Sequence, residues 1–186
     1  MTRDTNNSNG FTLVEVLMIL GILGVVFAMA VGMSPTLINS AKSDSAAISA
    51  LNAVELARNR AVGERRDFQV IFTAPNSIQV VRIEVPGPAT TTVLNTYLDN
   101  GQQFYKFTGM ADTPDHFGNA SSIAFGVTPT IEFTSDGSLL DSNGDPVNGT
   151  IFFGDPVRAT SARALTIFGT TGLIKVWKWD GTQWTQ

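Results

Sequence analysis

Three groups near the start of this chain have the types and spacing for chemistry: the Gly10–Phe11 peptide bond, the α-amino group that cutting it would create, and the Glu15 carboxylate. Glu15 is the only charged residue between positions 11 and 33, a run otherwise built from apolar and small residues. A carboxylate held within a membrane-length helix costs on the order of 3 kcal/mol unless a cation meets it at matching depth. The run supplies no such cation. Cutting after Gly10 would make one, and a neighbouring copy could present it to Glu15. These residues therefore point to cleavage followed by association.

The element that must carry Glu15 is a helix. At the α-helical rise, positions 11–33 span roughly 35 Å, enough to cross a hydrocarbon core with some tilt. An ordinary secretory signal would place its small-residue cleavage site after the apolar run, and a plain anchor would have no use for Glu15. Gly10-Phe11-Thr12-Leu13-Val14-Glu15, opening into that run, resembles the class III leader junction of type IV prepilins and pseudopilins. The resemblance implies that a prepilin peptidase cleaves after Gly10 and N-methylates Phe11. It also implies that Glu15, fifth in the mature chain, pairs with a neighbour's terminus during filament assembly. The leader 1–10 carries only Arg3 offset by Asp4, which is weakly basic for this class.

Composition limits the rest. About 150 residues follow the apolar run, room for one compact domain. There is no cysteine, which removes disulfides, thiolate chemistry and cysteine-ligated metals. Twelve basic against sixteen acidic residues give a formal charge of −4, which argues against a general binder of nucleic acid or anionic membrane.

After Met33 the pattern becomes amphipathic, with Leu37, Ile38, Ala41, Ile48, Leu51, Val54, Ala57 and Ala61 at near-helical spacing. Gly32 and Pro35 predict a bend or weak point near the membrane exit. The helix is expected to continue to Val62 with Gly63 as its C-cap, and with Arg58 and Arg60 at the negative end of the dipole. Beyond Arg66 the period shifts to two. Strands are expected at 68–72 and 78–85, joined by Ala74-Pro75-Asn76-Ser77, as a hairpin packed on the helix. A loop-rich stretch with one or two strands follows to Asn119. Further strands are expected at 122–127, 130–134, 150–153, 164–168 and 173–179. The expected fold is α+β and pilin-like: a leader 1–10, a transmembrane and filament-core helix 11–33, its amphipathic continuation 34–63, and an antiparallel β domain 64–186.

Two further segments carry a finer resemblance. Leu56-Ala57-Arg58-Asn59-Arg60-Ala61-Val62 running into Arg65-Arg66-x-Phe68-x-Val70 resembles the helix-to-strand junction of the GspH/FimT group of minor pseudopilins and pilins. Ile151-Phe152-Phe153-Gly154, Arg163-Ala164-Leu165-Thr166-Ile167 and Gly172-Leu173-Ile174-Lys175-Val176-Trp177 resemble that group's terminal strands. Its implications are a non-enzymatic subunit that primes or caps a type IV pilus or a type II secretion pseudopilus. Expected partners are the prepilin peptidase, other pilin or pseudopilin subunits and an inner-membrane assembly platform. The chain would be single-pass in the inner membrane with its domain outside the cytoplasm, and would later lie in the pilus or periplasmic pseudopilus.

His116 is the only histidine, and Asp115-His116 beside Ser121 and Ser122 does not by adjacency make a hydrolytic triad. Asp141-Ser142-Asn143-Gly144-Asp145 starts like a calcium loop, making Asp141, Asn143 and Asp145 candidates. It departs at once, with glycine fourth instead of sixth and Phe152 in the twelfth place, so a polar turn is favoured and no cofactor is expected. From Arg158 to Lys178 there are four basic residues and no acidic one. Arg163, Lys175 and Lys178 with Trp177 and Trp179 are candidate DNA contacts, through phosphate pairing and base stacking. DNA-binding members of the FimT side make a DNA-uptake role the alternative, although Gly172-Leu173-Ile174-Lys175 lacks the arginine pair expected there. The competing reading is an ordinary strand whose tryptophans cover the sheet.

Overall fold

The computed structural model describes residues 11–98, 100–126, 129–141 and 143–186, with the backbone alone for 30–37. The leader 1–10 and Gly10 lie outside the described residues, as do Val127 and Ser142. The elements are α1 (Leu13–Glu64), β1 (Phe68–Thr73), β2 (Ser77–Ile83), β3 (Thr90–Tyr97), β4 (Ile123–Ala124), β5 (Thr130–Phe133), β6 (Leu139–Leu140), β7 (Gly149–Phe153), β8 (Arg163–Ile167), β9 (Ile174–Trp179) and β10 (Trp184–Thr185). The chain divides into two compact units, Met1–Ile38 and Asn39–Gln186.

In the first unit α1 exposes its apolar side chains on every face from Leu13 to Met29. Among the described residues no helix is long and apolar enough to cross a membrane. The apolar run 11–33 reaches past Met29, the last of its residues whose side chain is described. The helix is continuous through Gly32 and Pro35.

The second unit is α+β, with the α1 residues from Asn39 onward packed on antiparallel strands. Those strands form two five-stranded sheets, ordered β3-β2-β1-β5-β6 and β10-β9-β8-β7-β4. Alternation along β1 puts Phe68, Val70 and Phe72 in the core; along β7 and β8 it does the same for Ile151, Phe153, Leu165 and Ile167. The helix face that meets them is Ala46, Ala47, Ala50, Ala53, Val54, Ala57 and Ala61. Val54, Ala57 and Ala61 of the expected stripe lie on this face and Leu51 packs against it, but Ile38, Ala41 and Ile48 do not. Ala41 is exposed, and Ile38 and Ile48 are 51% and 57% exposed. Small side chains let the sheets approach the helix closely, so alanine spacing, not the large apolar residues, marks the packing face.

The helix end also differs. Gly63 lies inside α1, and the left-handed position falls at Arg65, with φ 52°. Arg66 N–H donates to Ala61 O at 3.2 Å, the closing bond of a Schellman motif one step beyond a helix that ends at Glu64. No basic residue occupies the last turn. Arg60 instead pairs with Glu64 at 3.5 Å, and Arg82 of β2 reaches Glu64 at 3.1 Å.

Strand β2 stops at Ile83, two residues short of expectation, and among the described residues the loop-rich stretch to Asn119 holds one strand, β3. β4 is only two residues long, while β6, β10 and a short 3-10 turn at Ala159–Ser161 had no periodic signal to announce them. The turn between β5 and β6 is organised by Asp136, whose carboxylate accepts from Thr134 Oγ1, from Ser138 N–H at 3.0 Å and from Ser138 Oγ at 2.7 Å. These bonds favour the ionised form and lower its pKa from 3.8 to about 2. A depressed folded-state pKa means that the turn's contribution is complete above 3.8 and is lost as pH falls through about 2. A carbon-detected NMR titration should find Asp136 still largely ionised at pH 3. A midpoint near 3.8 would contradict that geometry.

Candidate functional site

At the head of α1, Thr12 is the N-cap. Its Oγ1 accepts from Glu15 N–H at 3.3 Å, and its carbonyl accepts from Val16 N–H at 3.2 Å. Thr-x-x-Glu is the spacing of a capping box, a signal present in the sequence but passed over in reading Glu15 only as a membrane charge. Glu15 is exposed and sits in the first turn, where a carboxylate also meets the positive end of the helix dipole. Phe11, one residue before the cap, is 76% exposed. The second partner of the cleavage bond, Gly10, is outside the described residues.

The five basic and aromatic candidates near the C-terminus separate onto the two faces of one sheet. Lys175, Trp177 and Trp179 alternate on the outer face of β9, where both tryptophans are buried against Phe152, Ala164, Met110 and Trp184. Trp179 and Trp184 meet edge to face at 5.2 Å, and Trp184 Nε1–H donates to Ala111 O at 2.9 Å. The tryptophans thus hold the segment around Met110 and Ala111 over the sheet. Lys175 Nζ pairs with Asp115 at 2.6 Å and lies 4.7 Å from the Phe168 ring centroid. Thr166 Oγ1 donates to the other Asp115 oxygen at 2.6 Å and accepts from Trp177 Nε1–H at 2.9 Å. Burial pushes the Asp115 carboxyl up, but the Lys175 and Thr166 hydrogen bonds outweigh it and leave its pKa lowered. Asp115 is thereby committed to the sheet, and Ser121 Oγ donates to Ile123 O.

Arg163 and Lys178 occupy the inner face, opposite each other in register. Arg163 is 1% exposed. Its Nη2 lies 2.7 Å and its Nε 2.8 Å from Asp44 Oδ1 on α1, while Nη1 donates to Ala162 O at 3.0 Å. Ser40 Oγ accepts from both Arg163 Nη2 and Lys178 Nζ at 3.3 Å. Asp44 is the partner that sequence reading missed, because its contact with Arg163 spans 119 residues of chain.

In the Asp141 loop, Asp141 Oδ1 accepts from Asn143 N–H at 2.8 Å and Asp145 N–H at 3.0 Å, and Oδ2 accepts from Asn143 Nδ2 at 3.3 Å. Those bonds lower the Asp141 pKa, the Asp145 backbone bond foremost. The carboxylate folds the turn on itself. Among the described residues no group of three or more His, Asp or Glu side chains could hold a metal ion.

Residues 5–31 match the prokaryotic N-terminal methylation motif. No curated protein matches the sequence. Two solved structures are similar. One is the type IV minor pilin FimU of Pseudomonas aeruginosa, 15% identical over 72% of this chain and 90% of that one, with a TM-score of 0.48. The other is the minor pseudopilin EpsH from the type 2 secretion system of Vibrio cholerae, 13% identical over 74% of this chain and 97% of that one, with a TM-score of 0.49.

Proposed function

We propose that this chain is a minor pilin-like structural subunit, cleaved between Gly10 and Phe11, methylated on the Phe11 amino group, and assembled into a type IV pilus or a type II secretion pseudopilus. The observation that carries this reading is the methylation motif at 5–31, with Glu15 inside its apolar helix. In this reading positions 11–33 first anchor the chain in the inner membrane and later form filament core. Glu15 neutralises the amino terminus of an adjacent subunit, which lowers the cost of both charges as the helix leaves the bilayer. The partners are the prepilin peptidase, other pilin or pseudopilin subunits and the assembly platform. No catalytic step is assigned to the chain.

The DNA-uptake alternative has less support. Phosphates reaching Arg163 and Lys175 would have to displace Asp44 and Asp115, and of the five candidates only Lys178 is exposed. Co-expression with a prepilin peptidase, read by intact-mass and N-terminal analysis, is expected to give a chain that starts at N-methylated Phe11. An uncut chain would end the proposal. A clean deletion scored for surface pili, DNA uptake and trapped exoproteins then separates the two filament types.

A further inference from the structure

In the second unit, Glu55, Arg58 and Asn59 of α1 and the turn 171–174 line a cleft of about 510 Å³. Arg58 Nη2 donates to Thr171 O at 3.0 Å, while its Nε is buried and has no acceptor among the described residues. Two turns shape the cradle. Gly172 has φ +62°, and a Cβ there would lie 2.3 Å from Arg58 Nε and 2.7 Å from Cδ. Gly137, with φ +85°, lies at ordinary van der Waals distance, its would-be Cβ 3.6 Å from Nε. Glycine at position 172 therefore leaves the space that the Arg58 side chain fills.

Among the described residues, Arg58 is a cation held by the Thr171 carbonyl and the Gly172 turn and not by a carboxylate. Arg60, Arg66, Arg82, Arg163 and Lys175 each have a carboxylate within 3.5 Å. Arg58 has none among the described residues, although the fold holds it in place. A fixed guanidinium with free donors is a site for a planar anion. Glu55, one helical turn away on the same rim, makes the cleft unsuited to a polyanion and supplies an acceptor for a donor next to the incoming charge. Leu173, 53% exposed, gives an aliphatic neighbour a footing.

We propose that this cleft binds a carboxylate presented by another polypeptide chain, with Arg58 as its counter-ion. The proposal rests on the assembly reading only in naming that chain as a neighbouring subunit. The binding test uses the full chain in detergent micelles, following the backbone amide resonances of Gly172 and Leu173 beside Arg58 while sodium acetate, and separately inorganic phosphate, is added. Acetate should give a saturable shift with a Kd on the order of tens of millimolar, as for one charge-assisted contact. Arg58→Gln should abolish it, Arg58→Lys should weaken it, and phosphate should bind no tighter than acetate. No saturable shift, an unchanged shift in Arg58→Gln, or tighter phosphate binding would each overturn the site. In cells, Arg58→Gln should lower incorporation into filaments about tenfold, for about 1.4 kcal/mol of lost pairing. Wild type and Arg58→Gln incorporated equally would remove the subunit as ligand. Wild type that is never incorporated would defeat the assembly reading instead.

Discussion

The Glu15→Val chain is expected to be cleaved and methylated like the wild type yet to fall about a hundredfold in filament incorporation. The magnitude follows from the roughly 3 kcal/mol that an unpaired charge costs at membrane depth, converted at 1.4 kcal/mol per factor of ten. In the variant, the neighbour's Phe11 amino terminus would enter the filament core without a partner. The substitution is clean for a local reason. Thr12 Oγ1 accepts from the backbone N–H of residue 15, which valine also has, so the cap at the head of α1 survives loss of the carboxylate. Glu15→Asp keeps the charge on a shorter stem and should recover part of the incorporation. Quantitative blotting of sheared filaments against the membrane pool measures all three chains. Normal incorporation of Glu15→Val would sink charge pairing while leaving cleavage untouched.

What sequence reading could reach follows from how local each signal is. The helix-then-strands order was legible, as were β1, β5, β7, β8 and β9 to within about two residues, because alternation at period two is written in consecutive side chains. The later part of the α1 stripe, Leu51, Val54, Ala57 and Ala61, was legible, whereas Ile38 and Ile48 entered it on hydropathy and Ala46, Ala47, Ala50 and Ala53, which close packing against the sheets selects, were passed over. β6 and β10 are two residues each, too short to carry a period. Gly63 looked like the helix stop, but Arg65 takes the left-handed position and closes a Schellman turn. The split into two sheets, and of the candidate basic residues onto opposite faces of one, depends on contacts between distant segments. No spacing rule encodes those. The proposed cleavage and assembly residues need no fold to be picked out, since Gly10, Phe11 and Glu15 lie within six consecutive positions of the matched stretch 5–31.

Arg163→Ala should lose about 3–5 kcal/mol of unfolding free energy, the second large effect expected of this chain. The substitution empties a site that is 1% exposed and removes both the Asp44 pair and the bond to Ala162 O. Asp44→Asn breaks the same pair from the other end and leaves a buried guanidinium short of charge. Its cost should be smaller, about 2 kcal/mol, because the Asp44 side chain is 48% exposed and water replaces part of what is lost. Arg163→Met tests which component dominates, since it refills most of the volume with an apolar chain. If desolvation of the guanidinium nearly cancels its pairing, as it does for many buried ion pairs, Arg163→Met should come within about 1 kcal/mol of wild type. Urea unfolding of the full chain followed by tryptophan fluorescence is well placed to read this. All three tryptophans, Trp177, Trp179 and Trp184, lie on the sheet that Arg163 ties to α1. A loss for Arg163→Met as large as for Arg163→Ala would mean that the hydrogen-bonded charge, not the filled volume, fastens helix to sheet. An Arg163→Ala loss under about 1 kcal/mol would mean that the alanine face of α1 holds the sheet without it.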